Sequence, residues 1–197
     1  MNLTMLDLNP FTIPHPDYTV CQLTRQDSDR LQALFERCTD FFELTTGQPP
    51  NPTAAEAEFG DVPASKTPED LHVFGLCQRL DTLTGAMIAV QDYPAAATWW
   101  ISTMLIDPAD RSQGVGSAFY QGFERWLAAQ GVTGIELCAI APNLPGRRFW
   151  QRLGFAEIRQ TPPRAYGQKT PTVHVYRRQL NIVAKPPAPE ESDVPYP

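Results

Sequence analysis

The 197-residue chain has only three histidines, His15, His72 and His174, and four cysteines, Cys21, Cys38, Cys77 and Cys138. The cysteines are scattered and none forms a CxxC pair, and no two histidines stand at ligand spacing. Neither a disulfide framework nor a metal site is therefore expected. No apolar run approaches the roughly 20 residues that cross a bilayer. The opening stretch MNLTMLDLNP lacks a basic region followed by an apolar one, so no secretory leader is expected and the expected compartment is the cytoplasm. Positive charge is scarce as well: 16 Lys and Arg stand against 22 Asp and Glu, for a net charge of −6. That balance argues against nucleic acid or an anionic membrane as the main partner, and it is compatible with a cationic acceptor such as an amine.

Proline is present in quantity, but clustered. NPFTIPHP near the start and AKPPAPEESDVPYP at the end remove backbone donors and offer few apolar side chains to a core. Residues 1–17 are expected to form an arm outside the core, 18–182 a single domain, and 183–197 a disordered acidic tail.

Between the arms the hydrophobic pattern alternates between strand and helix periods. YTVCQLT (18–24) reads as a strand. DSDRLQALFERCTDFFEL places Leu31, Leu34, Phe35, Cys38, Phe41 and Phe42 on one helical face, with Asp27 or Ser28 as N-cap. TAAEAEFG (53–60) reads as a short helix. LHVFGLCQ, DTLTGAMIAVQDYP and ATWWISTMLID read as three antiparallel strands. A helix over 117–130 buries Phe119, Tyr120, Phe123, Trp126 and Leu127. GIELCAIAP reads as a strand, NLPGRRFWQRLGF as a helix ending at Gly154, and AEIRQ and TVHVYRRQL as closing strands. The order β-α-(α)-β-β-β-α-β-α-β-β predicts an α+β fold. Its central mixed, mostly antiparallel sheet has six to seven strands, flanked by about four helices.

The segment RSQGVG (111–116) precedes the second long helix. It is not a P-loop, since no lysine follows Gly116. It is not a dinucleotide fingerprint either, because Phe119 takes the place of the third glycine. A helix N-terminus with unpaired N–H groups and about half a positive charge can still hold an anion, and glycines let it come close. Taken alone, the loop fits that role and a plain strand-to-helix turn equally well.

RSQGVG fits the pattern [QR]-x-x-G-x-[GA], and NLPGRRFWQRLGF fits N-x-x-[AG]-x-x-[FL]-[YW]-x-x-x-G-F about thirty residues later. With the element order, these motifs make the chain resemble the GCN5-related N-acetyltransferase (GNAT) superfamily over about four-fifths of its length. The resemblance implies acetyl-CoA as cosubstrate. Its pyrophosphate would lie on the backbone of Arg111, Ser112, Gln113, Gly114, Val115 and Gly116, with the helix from Ser117 behind. Its pantetheine arm would pair with Met104, Leu105 and Ile106 where the fourth and fifth strands part. The N–H of Ile106 would polarise the thioester carbonyl, a preorganised donor aimed at developing charge. Asn143 would bond the arm, as well as being a natural N-cap.

The pattern departs from the family at one point. Many members carry a proton-donating tyrosine seven residues after the asparagine, where this chain has Trp150. An indole N–H donates a hydrogen bond but does not readily release a proton, so Trp150 reads as a cofactor-side wall or a core aromatic. Tyr166 or Tyr176 could supply the acid from the last strands. Glu43, Asp92 and His72 are the candidates for the base that deprotonates the amine. The loop region 38–50, with Phe41, Phe42 and Glu43, is expected to shape the acceptor site. Trp99 or Trp100 could limit the acyl pocket, but not both, since they face opposite sides of a strand.

The resulting reading is acetyl transfer from acetyl-CoA to a primary amine, small molecule or peptide, by direct attack in a ternary complex, with no metal and no covalent Cys138 intermediate. The alternatives are a non-catalytic acyl-CoA-binding module and an acyltransferase using another acyl-CoA. A homodimer is compatible with either.

Overall fold

The computed structural model describes residues 10–78 and 82–181. Along the chain these form β1 (Tyr18–Gln22), α1 (Ser28–Arg37), α2 (Thr39–Thr46), α3 (Ala54–Ala57), β2 (Leu71–Gln78) and β3 (Thr82–Val90). There follow β4 (Thr98–Ile106), α4 (Val115–Ala129), β5 (Gly134–Ile140), α5 (Leu144–Arg152), β6 (Ala156–Thr161) and β7 (Val173–Gln179). The strands make one sheet in the order β1-β2-β3-β4-β5-β7-β6. Every neighbouring pair is antiparallel except β4 and β5, as the β-α-β order around α4 requires. The expected mixed, mostly antiparallel sheet is thus the observed one, with seven strands.

Each face of the sheet has its own core. On one, α4 and α5 cover Val20, Phe74, Leu76, Met87, Trp99 and Leu137. On the other, α1 and α3 cover Val73, Cys77, Leu83, Ala86, Ile88 and Leu105. Burial from both sides is why β2 and β3 carry long apolar runs that do not alternate.

Three local expectations change. The single helix expected over 27–44 breaks at Cys38, whose dihedrals are φ −94° and ψ 27°. Thr39 turns its hydroxyl back to the Glu36 carbonyl at 2.7 Å, and such a local bond competes with the helical ladder. The break gives five α-helices and rotates α2 relative to α1. At the start of α1, Asp27 accepts from the Thr24 N–H at 3.0 Å and caps the preceding turn; it makes no side-chain cap on α1 itself. The helix expected from Ser117 begins at Val115, behind Gly114.

The proline-containing segment before β1 was expected to lie outside the core. Instead Phe11 is buried, edge-on to Phe74 with ring centroids 5.3 Å apart, because one large aromatic outweighs several prolines in transfer free energy. A Cβ on Gly122 of α4 would lie 2.6 Å from the Thr12 carbonyl oxygen, so only glycine lets the strap cross that helix. Residues 1–9 and the expected acidic tail 183–197 lie outside the described residues.

One half-buried group gives the stability of this fold a pH dependence. Glu58, just after α3, has its carboxyl pushed up to about 7 by burial, reinforced by Asp61. The folded state therefore holds that proton more tightly than the unfolded chain, whose value is near 4.5. The stabilisation is full below about pH 4.5 and is lost as pH rises through about 7. Glu58→Gln is expected to flatten this part of a chemical-denaturation pH profile; an unchanged slope would remove Glu58 as its source.

Candidate functional site

The site begins with a failure of strand pairing. β4 and β5 pair only from Thr98 opposite Gly134 to Ile101 opposite Leu137. β4 then continues beside β3 to Ile106, and β5 continues beside β7 to Ile140, so a gap opens between them. Ser102 sits at the vertex as an extra residue in β4, since Ile88 pairs with Thr103 and Ala89 with Ile101. Its hydroxyl donates to the Ile88 carbonyl at 3.2 Å. An inserted residue bends its strand and ends pairing, which accounts for the divergence. No glycine or proline marks the position in sequence.

Backbone alternation decides which groups face the gap. The Asp107 N–H donates to the Thr84 carbonyl at 2.7 Å, so Leu105, two residues earlier, also turns its peptide groups towards β3. Those of Met104 and Ile106 turn the other way, towards β5. Of the three residues expected to pair with a cofactor arm, Met104 and Ile106 present backbone to the gap, while Leu105 presents only its wall atoms and buries its side chain in the α1 core.

The gap opens into a cleft of about 600 Å³ that reaches both faces of the sheet. On the α4 and α5 face it is lined by Ser112, Gly114, Gly116, Ser117, Asn143, Phe149, Trp150 and Arg152. Gly114 is left-handed, with φ 82° and ψ −9°, and caps α4 with no side-chain bond. Ser112 is also at positive φ, 63°. The first N–H groups of α4 have no intrahelical acceptor, and here they face the cleft. Gln113 and Val115 do not line it: the Gln113 amide bonds the Ala109 carbonyl at 2.9 Å, and Val115 is buried in the core.

The Arg111 side chain is committed to protein partners. Its Nε donates to the Ile106 carbonyl at 2.8 Å. Its two terminal nitrogens grip Asp40 of α2, one of them at 3.0 Å. The Cys38 thiol also lies 3.6 Å from the Ile106 oxygen. The carbonyl that lost its β-sheet partner when the strands parted is thus satisfied by a guanidinium and a thiol, as a polar group near the core requires.

On the other face α2 contributes Asp40, Phe41 and Leu44, and β5 contributes Cys138. Of Phe41, Phe42 and Glu43, which the resemblance put at the acceptor site, only Phe41 lines the cleft. A continuous helix sets its phase from Leu34 and Phe35, but the break at Cys38 rotates the following turn, and Glu43 is exposed outside the cleft. Asp40 was the residue missed. The Arg111 guanidinium holds its carboxyl below the usual range, and burial pushes the Cys138 thiol up.

The structure does not bring the remaining candidates for proton transfer into the cleft. Asp92 is a turn residue at the far end of β4, accepting from the Ala97 N–H at 2.7 Å. His72 stacks on Phe74 and packs against Trp99 in the α4 core, beside Gln91 at 3.3 Å; burial lowers its pKa. Tyr176 is fully buried and accepts from Arg147 Nε at 2.9 Å. Tyr166 sits in the β6–β7 turn, near Cys138 but outside the cleft wall. Trp150 is a wall aromatic, buried edge-on against Tyr120 and Phe155. Asn143 caps α5 by accepting from the Gly146 N–H at 3.0 Å. Trp99 is buried in the α4 core, and Trp100, edge-on to Tyr93, is also absent from the cleft lining.

Among the described residues there is no cluster of three or more potential metal ligands and no helix long and apolar enough to cross a membrane.

Solved structures share this architecture. An acetyltransferase from Thermus thermophilus matches with TM-score 0.67 and 21% identity over 83% of this chain and 97% of its own. The ribosomal-protein-S18-alanine N-acetyltransferase of Escherichia coli matches with TM-score 0.64 and 16% identity, over 86% and 97%. RimL, a ribosomal L7/L12 alpha-N-protein acetyltransferase solved with coenzyme A, matches with TM-score 0.69 and 11% identity, over 86% and 98%. At these identities the likeness is one of fold. No curated protein sequence matches the chain. The model of the Acetyltransferase (GNAT) family matches residues 23–155, a span running from the end of β1 through both glycine-containing motifs, and the chain belongs to that family.

Proposed function

We propose that the protein transfers an acetyl group from acetyl-CoA to a primary amine by direct attack. The observation that carries this reading is the parting of β4 from β5 beside the uncapped start of α4. An extended amide-bearing arm can pair with the Met104 backbone and the Ile106 N–H, the Ile106 carbonyl being held by Arg111, while a diphosphate meets the N–H groups behind Gly114. Asn143 and the wall of Phe149 and Trp150 fit the same ligand. Acetyl-CoA bound there supplies an acyl group already activated as a thioester. The Ile106 N–H, fixed by the strand, is a donor for charge developing on the acyl oxygen. RimL, solved with coenzyme A, and the E. coli N-acetyltransferase support the choice of cosubstrate and of nitrogen as acceptor atom.

Deprotonation of the amine is left to solvent in this reading. Asp40, held low by Arg111, is a weak base, and Cys138, pushed up by burial, stays a neutral thiol near pH 7. We therefore expect kcat/KM to rise about tenfold per pH unit up to the amine's own pKa. A plateau at pH 6–7 would reveal a protein base instead.

Acetyl-CoA should raise the melting temperature in a concentration-dependent way, and an amine panel should then release CoA. The absence of any thermal shift rejects the proposal. A shift with no CoA release from any amine class favours a second reading, an acyl-CoA-binding module, which the position of Trp150 and the distance of Tyr166 and Tyr176 from the cleft wall support.

A further inference from the structure

The cleft passes through the sheet, and both of its ends carry positive groups. The α4 face presents a helix N-terminus. The opposite face, lined by α2 and β5, is the side left for an acceptor in the acetyl-transfer reading, and its charges can be followed strand by strand. Cys138 of β5 lies opposite Val175 of β7, which lies opposite Arg159 of β6. Residues directly opposite on neighbouring strands share a face, so Arg159 is on the same face as the cleft-lining Cys138. Arg164 comes from the β6–β7 connection, its guanidinium carbon 5.8 Å from the centre of the Tyr166 ring. That turn is sewn to α2: the Gln168 N–H donates to the Thr46 carbonyl at 2.7 Å, and Lys169 Nζ bonds the Leu44 carbonyl at 3.0 Å and also the Glu43 carbonyl.

The negative groups on this face are already engaged. Glu136 pairs with Arg177 at 3.2 Å, and Asp40 pairs with Arg111. Glu157 turns to the other face, 3.0 Å from His174. Glu43 lies on the exposed side of α2. Arg159 and Arg164 have no carboxylate partner among the described residues. Both act on the Cys138 thiol against the effect of its burial, so both are within electrostatic reach of the cleft wall. On a chain whose net charge is −6, this is a local reversal of sign.

We infer that the acceptor amine also carries an anionic group, a carboxylate, held by Arg159 and Arg164 on the β6–β7 side while the amine faces the gap. The inference rests on the acetyl-transfer reading and narrows its acceptor to amino carboxylates. Two guanidiniums recognise a carboxylate through charge-assisted, often bidentate bonds. They repel a second cationic group, so polyamines and polyamino sugars are poor acceptors. The amine acceptor compatible with the net charge is thereby narrowed to one that also carries a carboxylate.

The test compares α-amino acids with their carboxamides and with linear polyamines, by CoA release and by calorimetric binding to the protein–CoA complex. Amino acids should be bound and acetylated with at least a tenfold advantage. Arg164→Gln and Arg159→Gln should each raise KM for the carboxylate about tenfold and leave KM for the carboxamide unchanged. Both residues are exposed, so the variants should fold, which circular dichroism checks. Equal use of carboxamides or polyamines, an equal effect of the variants on both amine types, or no binding of any amino carboxylate overturns the inference. Acetyl-CoA binding is measured separately: if it is absent, the acetyl-transfer reading and this inference both fall; if it is present and discrimination fails, only this inference falls.

Discussion

Gly114→Trp is expected to weaken acetyl-CoA binding more than about 100-fold while the protein remains folded. Gly114 is at φ 82°, and nothing lies within 4 Å of a Cβ built there. A Cβ at this point therefore meets no protein atom. The tryptophan carries the left-handed backbone penalty, about 1–2 kcal/mol, or roughly 2–8 °C of melting temperature in a domain of this size. It also fills the space in front of the first turn of α4, where a diphosphate must come close to backbone N–H groups. Gly114→Ala separates the two effects, since it carries the strain with little of the bulk. The alanine variant should lose stability and keep most of its affinity; the tryptophan variant should lose the affinity as well. Calorimetry with acetyl-CoA that finds equal affinity for the two variants would place the diphosphate elsewhere.

Arg111→Gln is expected to lower kcat by about 10- to 100-fold and to change acetyl-CoA affinity by less than about threefold. The guanidinium is committed to the Ile106 carbonyl and to Asp40, so its role is to position the open edge of β4, not to neutralise phosphate. Small displacements of a polarising donor are enough for losses of this size. Lysine should not rescue the variant, because a point charge cannot hold a carboxylate with two nitrogens and a carbonyl with a third. Asp40→Asn, which leaves the Nε bond to Ile106 intact, should cost only a few-fold in kcat, in keeping with a half-exposed ion pair. Steady-state kinetics combined with binding decide the matter. A fall in acetyl-CoA affinity with kcat preserved would make Arg111 a phosphate ligand.

The two predictions differ in how they could be reached. The glycine at 114 is visible in sequence because the need for positive φ at a strand-to-helix turn is a local property, satisfied by one residue type. The partners of Arg111 are not visible. Asp40 is 71 residues away, and it faces the cleft only because Thr39 turns back on Glu36 and breaks the first helix. The resemblance put Phe41, Phe42 and Glu43 at the acceptor site; the phase of α2 after the break leaves only Phe41 of the three on the cleft. Asp92 and His72 were attractive as titratable groups on neighbouring strands, but they belong to the far end of β4 and to the α4 core.

The sequence by itself determined the order of strands and helices, the antiparallel run leading into a single parallel pair, and the family, because these depend on local periods and on motifs read along the chain. It also singled out Met104, Ile106, Gly114 and Gly116, which line the cleft. Only the tertiary structure decided where β4 leaves β5, that Phe11 belongs to the core, and that Arg159 shares a sheet face with Cys138. Those facts are set by strand register and by side chains far apart in sequence, through packing and Coulomb interactions that no local pattern records.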